Sequence, residues 1–223
     1  MIRLFVGFDQ REAVAYHSFC QSVLDHASVP VYFIPLAKQV LSGFDGQRDG
    51  SNAFIYSRFL IPALCDFSGH AIFADGDMIM KSDIAELWAL RDHYMAVQVV
   101  KHDYKTKHPV KYLGAKNEDY PRKNWSSLMI WNCASFINRQ LSPQAIQGMT
   151  NSQLHRFDWI PDDRIGDLPP EWNHLVMESN PNPDAKLLHY TIGTPCFPDY
   201  SQCPQSNEWH RAHERVNEPT SRL

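Results

Sequence analysis

Two carboxylates stand one residue apart at Asp75-Gly76-Asp77. An apolar run, Ala71-Ile72-Phe73-Ala74, leads into them, and a second, Met78-Ile79-Met80, follows at once. Acids held between buried segments cost several kcal/mol unless a cation or hydrogen bonds compensate. The pair at a strand end is therefore a place to hold a divalent cation, and such a cation commonly holds a phosphate in turn. A bare Asp-x-Asp is a weak signal, and the apolar context strengthens it. The alternative is a bend around Gly76 in which Asp75 caps a helix or the turn.

Four other groups carry chemistry. His189, in LLHYTIGTP, sits on an apolar strand. It is either a satisfied core residue or a third ligand, since imidazole beside carboxylates suits Mn²⁺. Arg58, in Tyr56-Ser57-Arg58-Phe59, interrupts an apolar segment. It faces a phosphate, the acids or a structural partner. Asp9-Gln10-Arg11-Glu12 follows the first apolar run and could touch a base or ribose. It could equally be a helix start, with Asp9 as cap and Glu12 at capping-box spacing. Asp162 and Asp163, flanked by Trp159 and Trp172, either act on a substrate or form a solvated turn.

The elements that position these groups can be read from pattern. Residues 2–8 and 29–36 read as strands, with a helix over 12–26 between them. Residues 42–52 are rich in Gly, Asp, Ser and Asn and read as a loop. A helix interrupted at Pro62 is expected over 53–65, a strand at 71–74, a short helix at 84–90 and a strand at 94–100. The lysine-rich stretch 101–124 reads as an exposed, mobile excursion. Residues 125–132 return to strand character, 135–154 to helix, and 187–192 form a last strand. The tail from Gly193 has little periodicity, and its end, HERVNEPTSRL, is expected to fray. Alternating strands and helices in the first half imply a mostly parallel central sheet flanked by helices, a Rossmann-like α/β half. Ligands then sit at the carboxyl ends of strands, where Asp9 and Asp75 both fall.

Composition sets the limits. The chain has 223 residues, a net charge of −4 and a hydrophobic content of 43%. That suits one catalytic domain over 1–197 with a partly irregular extension over 198–223. No basic field exists to grip nucleic acid. There is no apolar run long enough to span a membrane, and the N-terminus turns polar too soon for a secretory signal. Cys20, Cys65, Cys133, Cys196 and Cys203 form no paired motif, which points to reduced thiols and a cytoplasmic setting. A peripheral membrane contact through Trp209 to Arg215 remains open.

The order of motifs resembles that of a small bacterial or phage branch of glycosyltransferases related to glycosyltransferase family 8. The matching pieces are VGFDQREAVAYHSF, YSRFLIP, IFADGDMIM, IGDLPPEWNHL and LLHYTIGTPCF, spread over most of residues 2–197. The resemblance implies a GT-A fold, a nucleotide-sugar donor of the UDP type, a glycan or other hydroxyl acceptor, and transfer with retention assisted by Mn²⁺ or Mg²⁺. It implies that Asp75, Asp77 and His189 hold the metal. It places Phe8, Asp9, Tyr16, Arg58, Asp75, Gly76 and Ser126 at the donor, and Asp162 or Asp163 with Arg58 in catalysis. Two departures stand out. Trp125-Ser126-Ser127-Leu128 replaces an Asn-Ala-Gly-like element, and serine cannot copy an asparagine's paired donor and acceptor. No lysine follows His189 in Gly193-Thr194-Pro195-Cys196-Phe197, which leaves Lys186 or the 101–123 excursion to supply one. The rival readings are a haloacid-dehalogenase-type phosphatase using Asp75 and Asp77, and a non-catalytic nucleotide-sugar-binding module.

Overall fold

The structure is a computed structural model and describes residues 1–37 and 54–218. The expected loop at 42–52 lies outside the described residues. In chain order the elements are β1 (Ile2–Gly7), α1 (Ala13–His26), β2 (Val31–Leu36), α2 (Ile61–Leu64), β3 (His70–Ala74), β4 (Met78–Met80), α3 (Ile84–Ala89), β5 (Val97–Val99), β6 (Leu128–Asn132), α4 (Pro143–Gly148), α5 (Asn151–His155), β7 (Ile165–Asp167), β8 (His174–Leu175), β9 (Leu187–His189) and α6 (Ser206–Asn217).

A six-stranded sheet runs in the order β2-β1-β3-β6-β5-β7. The β1–β2, β1–β3 and β5–β7 pairings are parallel, and β6 is antiparallel to both neighbours. The inner strands β1, β3, β6 and β5 are buried on both faces, which is why they read as nearly unbroken apolar runs, whereas the edge strand β2 is partly exposed. Phe5, Phe73, Met129 and Trp131 point into one core, while Leu4, Ile72, Leu128 and Ile130 point into the other.

A second sheet, β4-β9-β8, leaves the first at Asp75-Gly76-Asp77. The turn links the end of β3 to the start of β4 and must pass close to β1. A Cβ on Gly76 would lie 2.4 Å from the Gly7 carbonyl oxygen, so only glycine fits there.

Pro62 does not break a helix. It occupies the first turn of α2, where its missing N–H costs nothing, and a 3₁₀ turn over Ser57–Leu60 precedes it. The 135–154 region divides into a 3₁₀ turn (Phe136–Gln140), α4 and α5, the last two capped by Ser142 and Thr150. The tail is helical through Asn217, where fraying was expected, because α6 lies along α1 and buries one face. Trp209 packs there with Ile79, Leu188 and Ala212 and is 2% exposed, so it presents nothing to a membrane. No helix among the described residues is long and apolar enough to cross one.

Candidate active site

The site forms where the two sheets part. Asp75 directly follows β3, Asp77 directly precedes β4, and His189 closes β9 opposite Met78. The Tyr190 N–H donates to the Asp77 carbonyl at 2.9 Å, which fixes the two chains side by side. His189 Nε2 then lies 3.4 Å from Asp77 Oδ1 and 3.9 Å from Asp75 Oδ2. One ligand atom from each of the three residues falls within 4.8 Å of the others.

The antiparallel run of β6 brings in the next group. Ala74 pairs with Leu128, so the residues before β6 meet the end of β3, and the Asp75 N–H donates to the Ser127 carbonyl at 2.9 Å. Ser127 Oγ donates to the Asn124 carbonyl and accepts from Asn173 Nδ2 at 2.8 Å. That leaves Asn173 Oδ1 facing His189 Nδ1 at 3.0 Å. The network assigns the hydrogen to Nδ1 and turns the Nε2 lone pair toward the acids.

These residues fit a divalent cation. Asp77 Oδ1 is buried without a hydrogen-bond partner among the described residues, and Asp75 Oδ1 has only the Arg58 guanidinium near it. Two carboxylates and a neutral imidazole converging on one point need a cation between them.

The two acids are unequal. Burial, with the repulsion of Asp77, pushes Asp75 up to about 6 despite Arg58. Burial also works against Asp77, but His189, Lys111 and a backbone hydrogen bond together outweigh it and hold that carboxyl below the usual range. The shorter His189–Asp77 separation explains the order.

Arg58 reaches the acids rather than open space. Nη1 lies 3.0 Å from Asp75 Oδ1 and donates to the Ser126 carbonyl at 2.9 Å. Its guanidinium carbon sits 4.9 Å from the Phe73 ring centroid and 5.1 Å from that of Phe54. Arg58 is therefore held in place between rings and fixes Asp75.

The excursion is not loose in this structure. Tyr112 N–H donates to the Ile192 carbonyl at 2.8 Å, and Tyr112 Oη donates to Glu12 Oε1 at 2.9 Å. Lys107 N–H and Asn117 Nδ2 both donate to the Glu178 carboxylate, at 2.8 and 3.0 Å. These contacts carry Lys111 into the cavity with Asp75, Asp77 and His189. Lys111 Nζ donates to Thr191 Oγ1 at 3.0 Å. Burial lowers its pKa while Asp77 and Asp75 pull the other way. Lys186, the other lysine considered, pairs with Glu86 at 2.7 Å and sits over Trp172, away from the cavity.

The remaining expected residues divide. Ser126 lines the cavity, and its Oγ bonds His155 Nδ1 at 2.6 Å. Phe8 and Tyr16 pack edge to face at 5.5 Å, beside the turn, with the Tyr16 backbone against Gly76. Asp9 caps the turn at Gln10–Glu12 and pairs with Arg11 at 2.6 Å. The capping box does not form, because the Glu12 carboxyl turns inward to Tyr112 and Thr194. Burial and the charge of Asp77 raise Glu12 to about 8. Asp162 and Asp163 are exposed and line none of this cavity. Asp162 pairs instead with Arg122. The structure does not bring either to the acids, so this pair does not stand where a phosphatase would need its late acids.

Pattern reading did not single out Lys111, Tyr112, Asn173 or Thr191, and it read Glu12 only as part of the segment after the first strand. Asn173 and Thr191 had a local signal, as parts of the IGDLPPEWNHL and LLHYTIGTPCF motifs.

The fold is that of GT-A glycosyltransferases. The galactosyltransferase LgtC, solved with donor and acceptor sugar analogs, superposes with a TM-score of 0.65 at 11% identity, covering 99% of this chain and 98% of that one. The bifunctional glycosyltransferase WbbM gives 0.62 at 14%, covering 95% of this chain, which spans about half of WbbM's length (51%). GlyE of Streptococcus pneumoniae TIGR4 gives 0.60 at 12%, covering 100% of this chain and 67% of GlyE. At such identities the likeness establishes the fold alone. No family model matches the sequence. Protein CDI of Arabidopsis thaliana is 39% identical over 225 residues, 96% of this chain and 87% of that protein. The chain belongs to the family of Protein CDI.

Proposed function

We propose that the protein is a retaining glycosyltransferase of family-8 kinship that moves a hexose from a UDP-sugar to an acceptor hydroxyl. The observation that carries this reading is the convergence of Asp75, Asp77 and His189 on one point at the strand ends of a GT-A fold, with His189 Nδ1 tied to Asn173. Asp75, Asp77 and His189 would hold Mn²⁺ or Mg²⁺, which when bound supplies neutralising charge to the donor diphosphate.

The chain's own groups then have distinct tasks. Arg58 holds Asp75 ionised and in position. Lys111 presents an ammonium to the departing diphosphate and offsets the charge that builds there. As the bond from the sugar's anomeric carbon to phosphate breaks, a bond from the acceptor oxygen forms on the same face. The acceptor's proton passes to the leaving phosphate oxygen. Phe8, Asp9 and Tyr16 lie beside the turn, where they would receive the nucleoside. The excursion, strapped to Glu12, Ile192 and Glu178, would exclude water from the reacting centre.

The test is UDP binding by calorimetry with Mn²⁺ and with EDTA, on wild type and Asp77→Asn. Metal-dependent binding that the variant loses supports the reading, and a screen of UDP-sugars for transfer follows. Binding of UDP that ignores both metal and substitution would overturn it.

A further inference from the structure

A second cavity, of about 540 Å³, adjoins the one that holds the acids and shares Ile55, Lys111, Tyr120 and His155 with it. Its size is that of a small-molecule site, whereas the cavity at the acids measures only about 80 Å³. A molecule in the larger cavity would sit against whatever the acids hold.

Its charge runs against that of the whole chain. The protein carries −4 overall, yet among the described residues Lys111, Lys116, Lys123 and Arg156 line this cavity against one acid, Glu118. Lys123 is fully occupied. Its Nζ donates to Thr106 Oγ1, Asn117 Oδ1 and the Glu118 carbonyl at 2.7, 2.6 and 2.9 Å, so it props the excursion from within.

The other three cations are not spent. Lys111 has one hydrogen bond, to Thr191. Lys116 has a single loose ion pair, 4.0 Å from Glu118. Arg156, the C-cap residue of α5, lines the cavity, and its backbone carbonyl accepts from Arg122. It has no ion pair among the described residues. Three cations around a concave site repel one another, and an oxyanion between them relieves that repulsion. Arg156 adds a fork that matches a phosphate or carboxylate.

We infer that this cavity is the acceptor subsite, and that it selects an acceptor carrying an oxyanion, phosphate or carboxylate, gripped by Lys116 and Arg156. The inference rests on the glycosyltransferase reading. It puts the anionic group at the outer wall and the accepting hydroxyl toward Lys111 and the acids.

Two measurements test it. In the first, inorganic phosphate and glucuronate are titrated separately into the protein saturated with UDP and Mg²⁺, for wild type and for the K116Q/R156Q double variant, with thermal melts confirming that both are folded. Wild type is expected to bind at least one of them, about tenfold or more tighter than the double variant. In the second, transfer from the UDP-sugar is compared for glucose, glucose 6-phosphate and glucuronate. The ratio of kcat/KM for the charged acceptor over glucose is expected to exceed tenfold and to fall toward one in the double variant. The phosphate and glucuronate arms tell which oxyanion is taken. Transfer that treats the three acceptors alike, or a ratio the double variant keeps, overturns the inference while leaving the transferase reading intact. Absence of UDP binding and donor turnover overturns the transferase reading and with it the acceptor role. Phosphate binding lost in the variant would then mark an anion site of another kind.

Discussion

Asn173 Oδ1 lies 3.0 Å from His189 Nδ1, and the same amide donates to Ser127 Oγ at 2.8 Å. One buried side chain thus joins the imidazole to the segment that precedes β6. Removing such a partner typically costs 10–100-fold in metal affinity, because the ligand loses its tautomer and its aim. Asn173→Ala should therefore weaken Mn²⁺-dependent UDP binding by about that factor. Calorimetry checks it, and a thermal melt separates the effect from loss of the fold.

Gly76 approaches Gly7 so closely that a Cβ would sit 2.4 Å from a backbone oxygen. Backbone cannot swing aside as a side-chain tip can. Gly76→Ala should lower stability by about 1–3 kcal/mol. It should also part Asp75 from Asp77, so metal binding falls with it. Urea unfolding measures the first effect and Mn²⁺ titration the second.

Arg58 and Asp75 form a buried pair, with side chains 4% and 11% exposed. Breaking one partner of such a pair costs about 3–5 kcal/mol, since the other charge is left stranded. Arg58→Met should be strongly destabilised at neutral pH. In the absence of metal its Asp75 should take up a proton at higher pH than in wild type, because the guanidinium that opposes burial is gone. NMR titration of the carboxyl carbons reads this directly.

How legible was this site beforehand? Asp75 and Asp77 were readable because the acid pair is local in sequence and framed by apolar runs. His189 was readable only as an alternative until β9 set it against β4. Arg58 showed as a charge in an apolar segment, but its partner depended on the antiparallel run of β6. The strands themselves were legible as apolar segments alternating with helices, while neither their order in the sheet nor the antiparallel direction of β6 has a local signature. Lys111 lay hidden because nothing in a lysine-rich stretch distinguishes the one that the Tyr112 contacts carry inward. Asp162 and Asp163 show the complementary difficulty. Paired acids between prolines look the same whether they face a cleft or, as Asp162 does, an exposed arginine.

Lys111 is the ammonium that shares the cavity with the acids, and it arrives from a different element than the stretch after His189, which lacks a lysine. Preorganised donors aimed at developing charge are worth about 10²–10³ in kcat when removed. Lys111→Met should lose about that much in transfer, with a smaller change in UDP affinity. Lys111→Arg should recover part of the rate. A steady-state comparison of kcat and KM for the three forms decides, and equal losses in Met and Arg variants would mean that the lysine serves the loop rather than the reaction.

Glu12 gives the protein a pH dependence of definite sign. Its carboxyl is raised to about 8 by burial and by Asp77, against 4.5 in an open chain. Between those values the folded protein keeps a proton that the unfolded chain has released, so stability falls as pH rises through this window and levels off above it. Glu12→Gln mimics the protonated acid, keeps an acceptor for Tyr112 Oη and removes the slope. Urea midpoints in EDTA at pH 5, 6, 7 and 8 should show the variant gaining on wild type steadily with pH. Asp75, also raised, adds a decline of the same sign at the acid end, but it is common to both proteins and cancels in the difference. Adding Mn²⁺ should shrink that difference, because a cation between Asp75 and Asp77 screens the charge that helps hold the proton on Glu12.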